Sequence, residues 1–271
     1  MLDGKTIGFI GGGNMAEAII KGLLAGGLPA ASILVAEPVP SRRDFLSSKY
    51  GVELHDENLD VVRRADITIL AIKPQVAAGV LMELEPAISS DTLIISIMAG
   101  ISTDFIEKTL TNGVRVVRVM PNTPALIQAA ATAICPGRKA TPQDLEMSRE
   151  IFSLVGSVAS IPEKQMDAVT GLSGSGPAYV FTFIEALADA GVKNGLARDI
   201  ATQLAVQTVL GAARMAAETG EHPALLREKV TSPGGTTITA LHTLENGRFR
   251  GLVMDAVDSA CRRSKELSEK Q

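Results

Sequence analysis

Short apolar runs alternate with helical stretches over roughly the first 160 residues. Lys5-Thr-Ile-Gly-Phe-Ile10 reads as a strand, and a helix follows over 14–24. The strand pattern returns at 33–36, 67–72, 93–97 and 114–119, with two further strands at 132–135 and 157–161. Short, largely apolar runs separated by helices predict a mostly parallel sheet covered on both faces. Beyond about Pro162 the pattern changes to helices rich in Ala, Leu and Val, with no further strands. Segments 179–190 and 200–217 are apolar almost all the way round, as helices buried on every side are. The chain therefore divides into a doubly wound α/β domain over 1–162 and an all-α domain over 163–271.

A helical domain of about a hundred residues hardly buries two such helices by itself. The pattern predicts a homodimer with an interlocked helical core, where small residues such as Ala205, Gly211 and Ala212 allow backbones to approach. Composition narrows the function. The 271 residues are 46% hydrophobic with a net charge of -4, consistent with an enzyme that buries a full core. Lys and Arg are scattered and aromatics make up 3%, which argues against nucleic acid as a partner. No apolar stretch has membrane-spanning length, and Met1-Leu-Asp-Gly-Lys5 lacks the apolar core of a signal peptide, so a cytoplasmic protein is expected. Cys135 and Cys261 are far apart without metal-type spacing, and are expected as reduced, packed thiols with no metal bound.

In a doubly wound sheet ligands bind beyond the carboxyl ends of the strands. Here those ends are Gly11 to Gly13, Glu37-Pro38, Lys73-Pro74, Ala99-Gly100 and Pro121-Asn-Thr-Pro124. The first is a dinucleotide fingerprint between a strand and a helix. Gly11 makes the tight turn, Gly13 lets phosphates approach, Ala16 takes the third small position, and Asn14 and Met15 open a helix whose amino end faces the phosphates. Glu37 ends the second strand, about twenty residues on, where the motif calls for a ribose ligand. The strand ends thus give Gly11, Gly12, Gly13, Asn14, Met15, Glu37, Lys73, Pro74, Ala99, Gly100 and Asn122 as cofactor-binding residues.

Two glycine tracts mark the helical domain. Thr170-Gly-Leu-Ser-Gly-Ser-Gly-Pro-Ala-Tyr179 leads into its first long helix, and Thr231-Ser-Pro-Gly-Gly-Thr-Thr237 into another over 238–245. Each is expected to set hydroxyls and free backbone amides at a helix amino end, an arrangement that suits a small carboxylate. The three histidines, His55, His222 and His242, lie outside both tracts and read as structural or exposed. Glu218 and Glu221, in a polar helix-end segment, read as surface residues rather than proton donors.

Taken together, the residues resemble the pyrroline-5-carboxylate reductase family over nearly the whole chain. The resemblance is carried by Gly8-Phe-Ile-Gly-Gly-Gly-Asn-Met-Ala16, Ala71-Ile-Lys-Pro74, Met120-Pro-Asn-Thr-Pro124, the stretch from Asp167 to Tyr179, and the stretch from Val230 to Glu245. It implies a Rossmann-type nucleotide domain with a helical dimerisation domain, and reduction of the cyclic imine 1-pyrroline-5-carboxylate to L-proline by a reduced nicotinamide cofactor. It further implies that Ser232, Gly234, Gly235, Thr236 and Thr237 hold the substrate carboxylate, with the Thr237 hydroxyl toward the ring nitrogen. Thr170, Ser173 and Ser175 would lie near nicotinamide and substrate, making Thr237, Thr170 and Ser175 the catalytic candidates. Asn58, after the third strand, and Ala71 join the cofactor contacts, and dimers would assemble into a decamer.

An imine substrate also fits the shortage of acid and base groups. Reduction of a ketone creates a negative charge that needs a donor or an oxyanion site, whereas a protonated imine is neutralised by hydride. The layout is similar to the 3-hydroxyacid dehydrogenases too, but their lysine and asparagine are replaced by Val180 and Phe183, counting from Gly176. A dinucleotide-binding sensor would need no second ligand pocket. On the cofactor the residues point both ways: Glu37 favours NADH, whereas Ser41, Arg42 and Arg43 favour a 2'-phosphate clamp. The family resemblance implies NADPH, with NADH also accepted.

Overall fold

The computed structural model describes residues 1–268. Eight strands form one sheet: β1 (Ile7–Ile10), β2 (Ile33–Ala36), β3 (Glu53–His55), β4 (Ile67–Leu70), β5 (Leu93–Ser96), β6 (Arg115–Met120), β7 (Ala130–Pro136) and β8 (Gly156–Ser160). Their spatial order is β3-β2-β1-β4-β5-β6-β7-β8, a Rossmann-type doubly wound arrangement whose strand order reverses between β1 and β4. Neighbours from β3 to β6 are parallel, with Ile10 level with both Ala36 and Leu70, and Leu70 level with Ser96. That register brings the carboxyl ends of β1, β2, β4, β5 and β6 to one edge.

Among the described residues only β6 and β7 pair antiparallel. The connection between them, residues 121–129, is shorter than the dozen or so residues a parallel crossover needs, so the chain turns back on itself. The third strand, for which the pattern offers no apolar run, is the partly exposed edge strand β3, paired with β2 through Leu34 and Glu53.

Helices α1 (Asn14–Ala25), α2 (Pro40–Tyr50), α3 (Asn58–Val62), α4 (Ala77–Leu84), α5 (Thr103–Thr109) and α6 (Pro142–Ser153) accompany the strands. Alternate residues of each strand feed two cores on opposite faces of the sheet. Phe9 joins Ile19, Leu23, Val117 and Phe152 on one face, and Ile10 joins Leu34, Leu81, Ile94 and Met98 on the other. Each such fully buried side chain contributes about 1.5–3 kcal/mol relative to exposure.

Packing divides the described residues into two compact units, Met1–Ser175 together with residues 259–268, and Gly176–Asp258. The expected division after residue 162 separates strands from helices. The packing division falls later, because α7 (Met166–Val169) lies on the sheet, with Met166 buried against Ala133 and Cys135.

The second unit contains α8 (Gly176–Lys193), α9 (Arg198–Thr219), α10 (Pro223–Lys229), α11 (Thr236–Asn246) and the first half of α12 (Phe249–Ser268). Helices α8 and α9 form a close hairpin: a Cβ on Gly191 would stand 2.9 Å from the Ala201 Cβ. Among the described residues of this unit, the buried apolar side chains are Ala188, Ala201 and Ala205. Ala205, expected at a contact between protomers, is thus buried within a single chain, whereas Gly211 and Ala212 are exposed. Three alanines make no core. Phe181 is 64% exposed, Leu210 56% and Met254 71%, an apolar surface of the kind that marks a contact site.

Candidate functional site

The glycine loop joins β1 to α1 at the reversal of strand order. Gly11 has φ +96°, and a Cβ there would lie 2.7 Å from the Ala71 carbonyl oxygen, so no other residue fits. Gly12 is shut in by Leu46 and Glu37, whereas nothing lies within 4 Å of a Cβ built on Gly13. Gly13 is also the N-cap of α1 and carries no side chain to cap it. The amides of Asn14, Met15 and Ala16 therefore lack a side-chain cap at the positive end of a twelve-residue helix. This cradle fits a pyrophosphate.

At the end of β2 the structure adds detail that spacing did not reveal. Glu37 is buried, and its carboxylate accepts the Gly12 N–H at 2.8 Å and the Val39 N–H at 3.0 Å. One oxygen thus fastens the glycine loop and the other the segment that follows β2. Arg42 donates from Nε to the Gly12 carbonyl at 2.6 Å and from Nη2 to Glu17 at 2.7 Å, while Arg43 donates to the Glu37 carbonyl at 2.7 Å. Glu17, in the first turn of α1, also accepts from Tyr50 at 2.8 Å and Lys49 at 3.1 Å. Burial pushes its carboxyl pKa up, but the hydrogen bonds from Arg42, Tyr50 and Lys49 outweigh this and hold it below the ordinary value. The linear sequence gave no sign of this hub, since its four members come from two helices.

The other strand ends present mixed surfaces. Ala71 and Pro74 are half-buried, and Lys73 is exposed beside a proline-led turn. Gly100, with φ +77°, follows Ala99 at the end of β5. A cavity of about 680 Å³ opens between these two ends, lined by Pro74, Gln75, Ala99, Ile101, Phe105 and Leu267. Asn58 opens α3 and donates to Glu83 on α4 at 3.1 Å. Asn122, beyond β6, is buried and bonded on both sides: its Oδ1 accepts the Ala131 N–H and its Nδ2 donates to the Ser173 carbonyl, each at 3.0 Å.

The two glycine tracts of the helical part differ from each other. The first does not start a helix from a loop. Thr170–Gly174 is a single widened turn between α7 and α8, in which the Ser175 N–H reaches five residues back to the Thr170 carbonyl at 2.9 Å. Its amides are consequently not free in the way the glycine content suggests. Thr170 Oγ1 donates to Met166 at 3.0 Å and Ser173 Oγ to Val169 at 3.2 Å, which leaves the hydroxyl oxygens as acceptors.

The second tract behaves as expected of a helix start. Gly234 has φ +66°, Gly235 is the N-cap of α11, and no side chain caps the amides of Thr236, Thr237 and Ile238. The Gly235 N–H itself closes the turn onto the Ser232 carbonyl at 3.1 Å. A Cβ on Gly235 would meet the Ser232 hydroxyl at 2.3 Å, so that side of the turn is already filled. Thr237 is half-buried in the first turn of the helix. Every expected cofactor residue, with Thr170 and Ser175, belongs to the first compact unit, and the expected carboxylate residues belong to the second.

Comparison with known proteins agrees with this layout. A family profile described as pyrroline-5-carboxylate reductase dimerisation matches residues 163–267, and one described as NADP oxidoreductase, coenzyme F420-dependent, matches residues 6–100. A pyrroline-5-carboxylate reductase of Methanosarcina acetivorans is 48% identical over 99% of this chain and 100% of its own. Among solved structures, a pyrroline-5-carboxylate reductase from Coxiella burnetii superposes with TM-score 0.92 at 41% identity, over 97% of this chain and 98% of its own. The Plasmodium falciparum pyrroline carboxylate reductase, solved with NADP bound, gives TM-score 0.88 at 33% identity, over 98% of this chain and 99% of its own. On identity of this level over the full length, the chain belongs to the pyrroline-5-carboxylate reductase family.

Proposed function

We infer that this protein reduces 1-pyrroline-5-carboxylate to L-proline, the last step of proline biosynthesis, as an NAD(P)H-dependent oxidoreductase acting on a carbon–nitrogen bond. The observation that carries this reading is the 48% identity to a pyrroline-5-carboxylate reductase across 99% of the chain. NADPH is the cofactor, and when bound it supplies the hydride. Two features support NADPH over NADH: both oxygens of Glu37 are engaged by backbone amides, and two guanidinium groups stand at the same strand end.

The protein's contribution is chiefly placement. The uncapped amides at the start of α11 bind the substrate carboxylate, with about 0.3–1 kcal/mol from the helix dipole. The Thr237 hydroxyl faces the ring nitrogen and orients the imine. The ring enters protonated, the C=N carbon gains hydride, and nitrogen keeps its proton and the electron pair of the former double bond. No strong acid is demanded of the chain, and holding two reactants in line accounts for most of the acceleration. On the first unit the Thr170 hydroxyl, whose hydrogen goes to the Met166 carbonyl, is left as an acceptor, and Ser175 joins it as a catalytic candidate.

The protein self-associates through its helical dimerisation domain. We place the dimerisation and substrate-binding functions in 163–271, the nucleotide-binding function in 1–162, the dimers in a decamer, and the enzyme in the cytoplasm. Among the described residues no helix is long and apolar enough to cross a membrane. Loss of nicotinamide absorbance with 1-pyrroline-5-carboxylate, run with NADPH and NADH and beside a panel of 3-hydroxyacids with the oxidised cofactors, tests the reading. Turnover with the imine alone, faster with NADPH, is expected. Tight cofactor binding without turnover would point instead to a sensor.

A further inference from the structure

A widened turn is costly to keep inside a helical run, since the carbonyls it displaces must find other donors. In the turn Thr170–Gly174 the sequence makes the problem sharper. A helix would pair the Ser173 carbonyl with the N–H of residue 177, but residue 177 is proline and has none. The donor comes from outside the helix, from Asn122 Nδ2 at 3.0 Å. The same carboxamide accepts the Ala131 N–H at the start of β7, so its orientation is fixed: oxygen toward β7, nitrogen toward the turn. Asn122 is 8% exposed, and Gly174 rests against the Met120 methyl group at the end of β6. Two pieces of backbone, one from β7 and one from the turn, thus meet on one side chain.

We propose that Asn122 is a positioning residue, a latch that holds the widened turn against the sheet and so fixes where Thr170, Ser173 and Ser175 stand for the reaction. The inference rests on the reading that these hydroxyls border the reacting atoms. It departs from the simpler assignment of Asn122 as a direct cofactor contact, and the two give different measurements.

The test uses Asn122→Asp, which keeps the acceptor for Ala131 and removes the donor for Ser173, and the double variant carrying Pro177→Ala as well, which restores a helix N–H opposite that carbonyl. The first readout is hydrogen exchange of peptide 166–178 in the protein without cofactor or substrate. Asn122→Asp is expected to exchange there about tenfold faster, the size of effect that one unpaired buried carbonyl brings. The double variant is expected to recover much of the protection. The second readout is kinetic: kcat/KM for the imine falls about 10- to 100-fold, mainly in kcat, while the Kd of NADPH by calorimetry stays at the wild-type value.

Unchanged exchange in 166–178, protection that Pro177→Ala fails to recover, or a weaker NADPH Kd with normal exchange would each overturn the latch. Should Asn122→Asp alone fail to fold, recovery of folded protein in the double variant supports the latch, and failure to recover it counts against. Because exchange is measured without substrate, it judges the latch even if the wild-type enzyme leaves 1-pyrroline-5-carboxylate untouched, an outcome that would sink the functional reading separately.

Discussion

Gly11 and Gly27 have nearly the same φ, +96° and +93°, but not the same surroundings. A Cβ on Gly27 meets nothing within 4 Å, whereas a Cβ on Gly11 would press to 2.7 Å on the Ala71 carbonyl oxygen and 3.1 Å on the Ile72 side chain. The pair therefore separates two costs that usually come together. Gly27→Ala pays the conformational term alone, about 1–2 kcal/mol for placing an L side chain in left-handed backbone. Gly11→Ala pays the same term and must also push a strand-end carbonyl aside, about 1–3 kcal/mol more by analogy with overpacked cores. Urea unfolding at one fixed protomer concentration measures both, which matters because a self-associating protein has concentration-dependent stability. Gly11→Ala should be the less stable of the two by at least about 1 kcal/mol, and should bind NADPH more weakly, since the loop sets the phosphate cradle. Equal losses would refute the claim that the close approach of β1 and β4 dictates glycine there.

Other consequences follow from the charged groups. Burial, with the Glu163 carboxylate nearby, raises the Cys135 thiol to about 12, so at pH 8 its thiolate is on the order of one part in ten thousand and alkylating reagents should leave it unmodified until the protein unfolds; rapid labelling of native Cys135 would contradict this. Glu17 has its pKa lowered from 4.5, so its hydrogen bonds add stability above that value and lose it as pH falls further. Glu17→Gln should cost about 1 kcal/mol at neutral pH, and the gap to wild type should close in acid; a gap independent of pH would argue that the carboxylate's charge plays no part. Replacing both Arg42 and Arg43 by Ala should weaken NADPH more than NADH in binding titrations, and equal losses would exclude 2'-phosphate recognition.

Much of this architecture was legible because parallel strands buried on both faces leave little choice of residue. Ile33–Ala36 is one unbroken apolar run, and the structure places β2 at those four residues. Strand β3 escaped because Glu53-Leu-His55 is a three-residue edge element with polar ends, stabilised by pairing rather than by its own pattern. The direction of β7 is a property of the connection before it, not of its residues.

In the site, sequence located the glycine loop but not the partners of its polar neighbours. Glu37 reads as a ribose ligand from spacing, and the structure turns its carboxylate to the amides of Gly12 in the loop and Val39 beyond β2. The tract at Thr170 reads as a loop because glycine and serine are poor helix formers, yet the flanking helices carry the chain through it. One signal was present: Pro177, four residues past Ser173, announced a carbonyl in need of an outside donor. Which side chain would answer required the fold.

The most direct test of the proposed activity follows the hydride itself. With 1-pyrroline-5-carboxylate and NADPH deuterated at the nicotinamide C4, mass spectrometry of the product should find proline carrying deuterium on the ring carbon that was doubly bonded to nitrogen. Proline without that label, or no proline at all from protein that binds NADPH, would contradict the account.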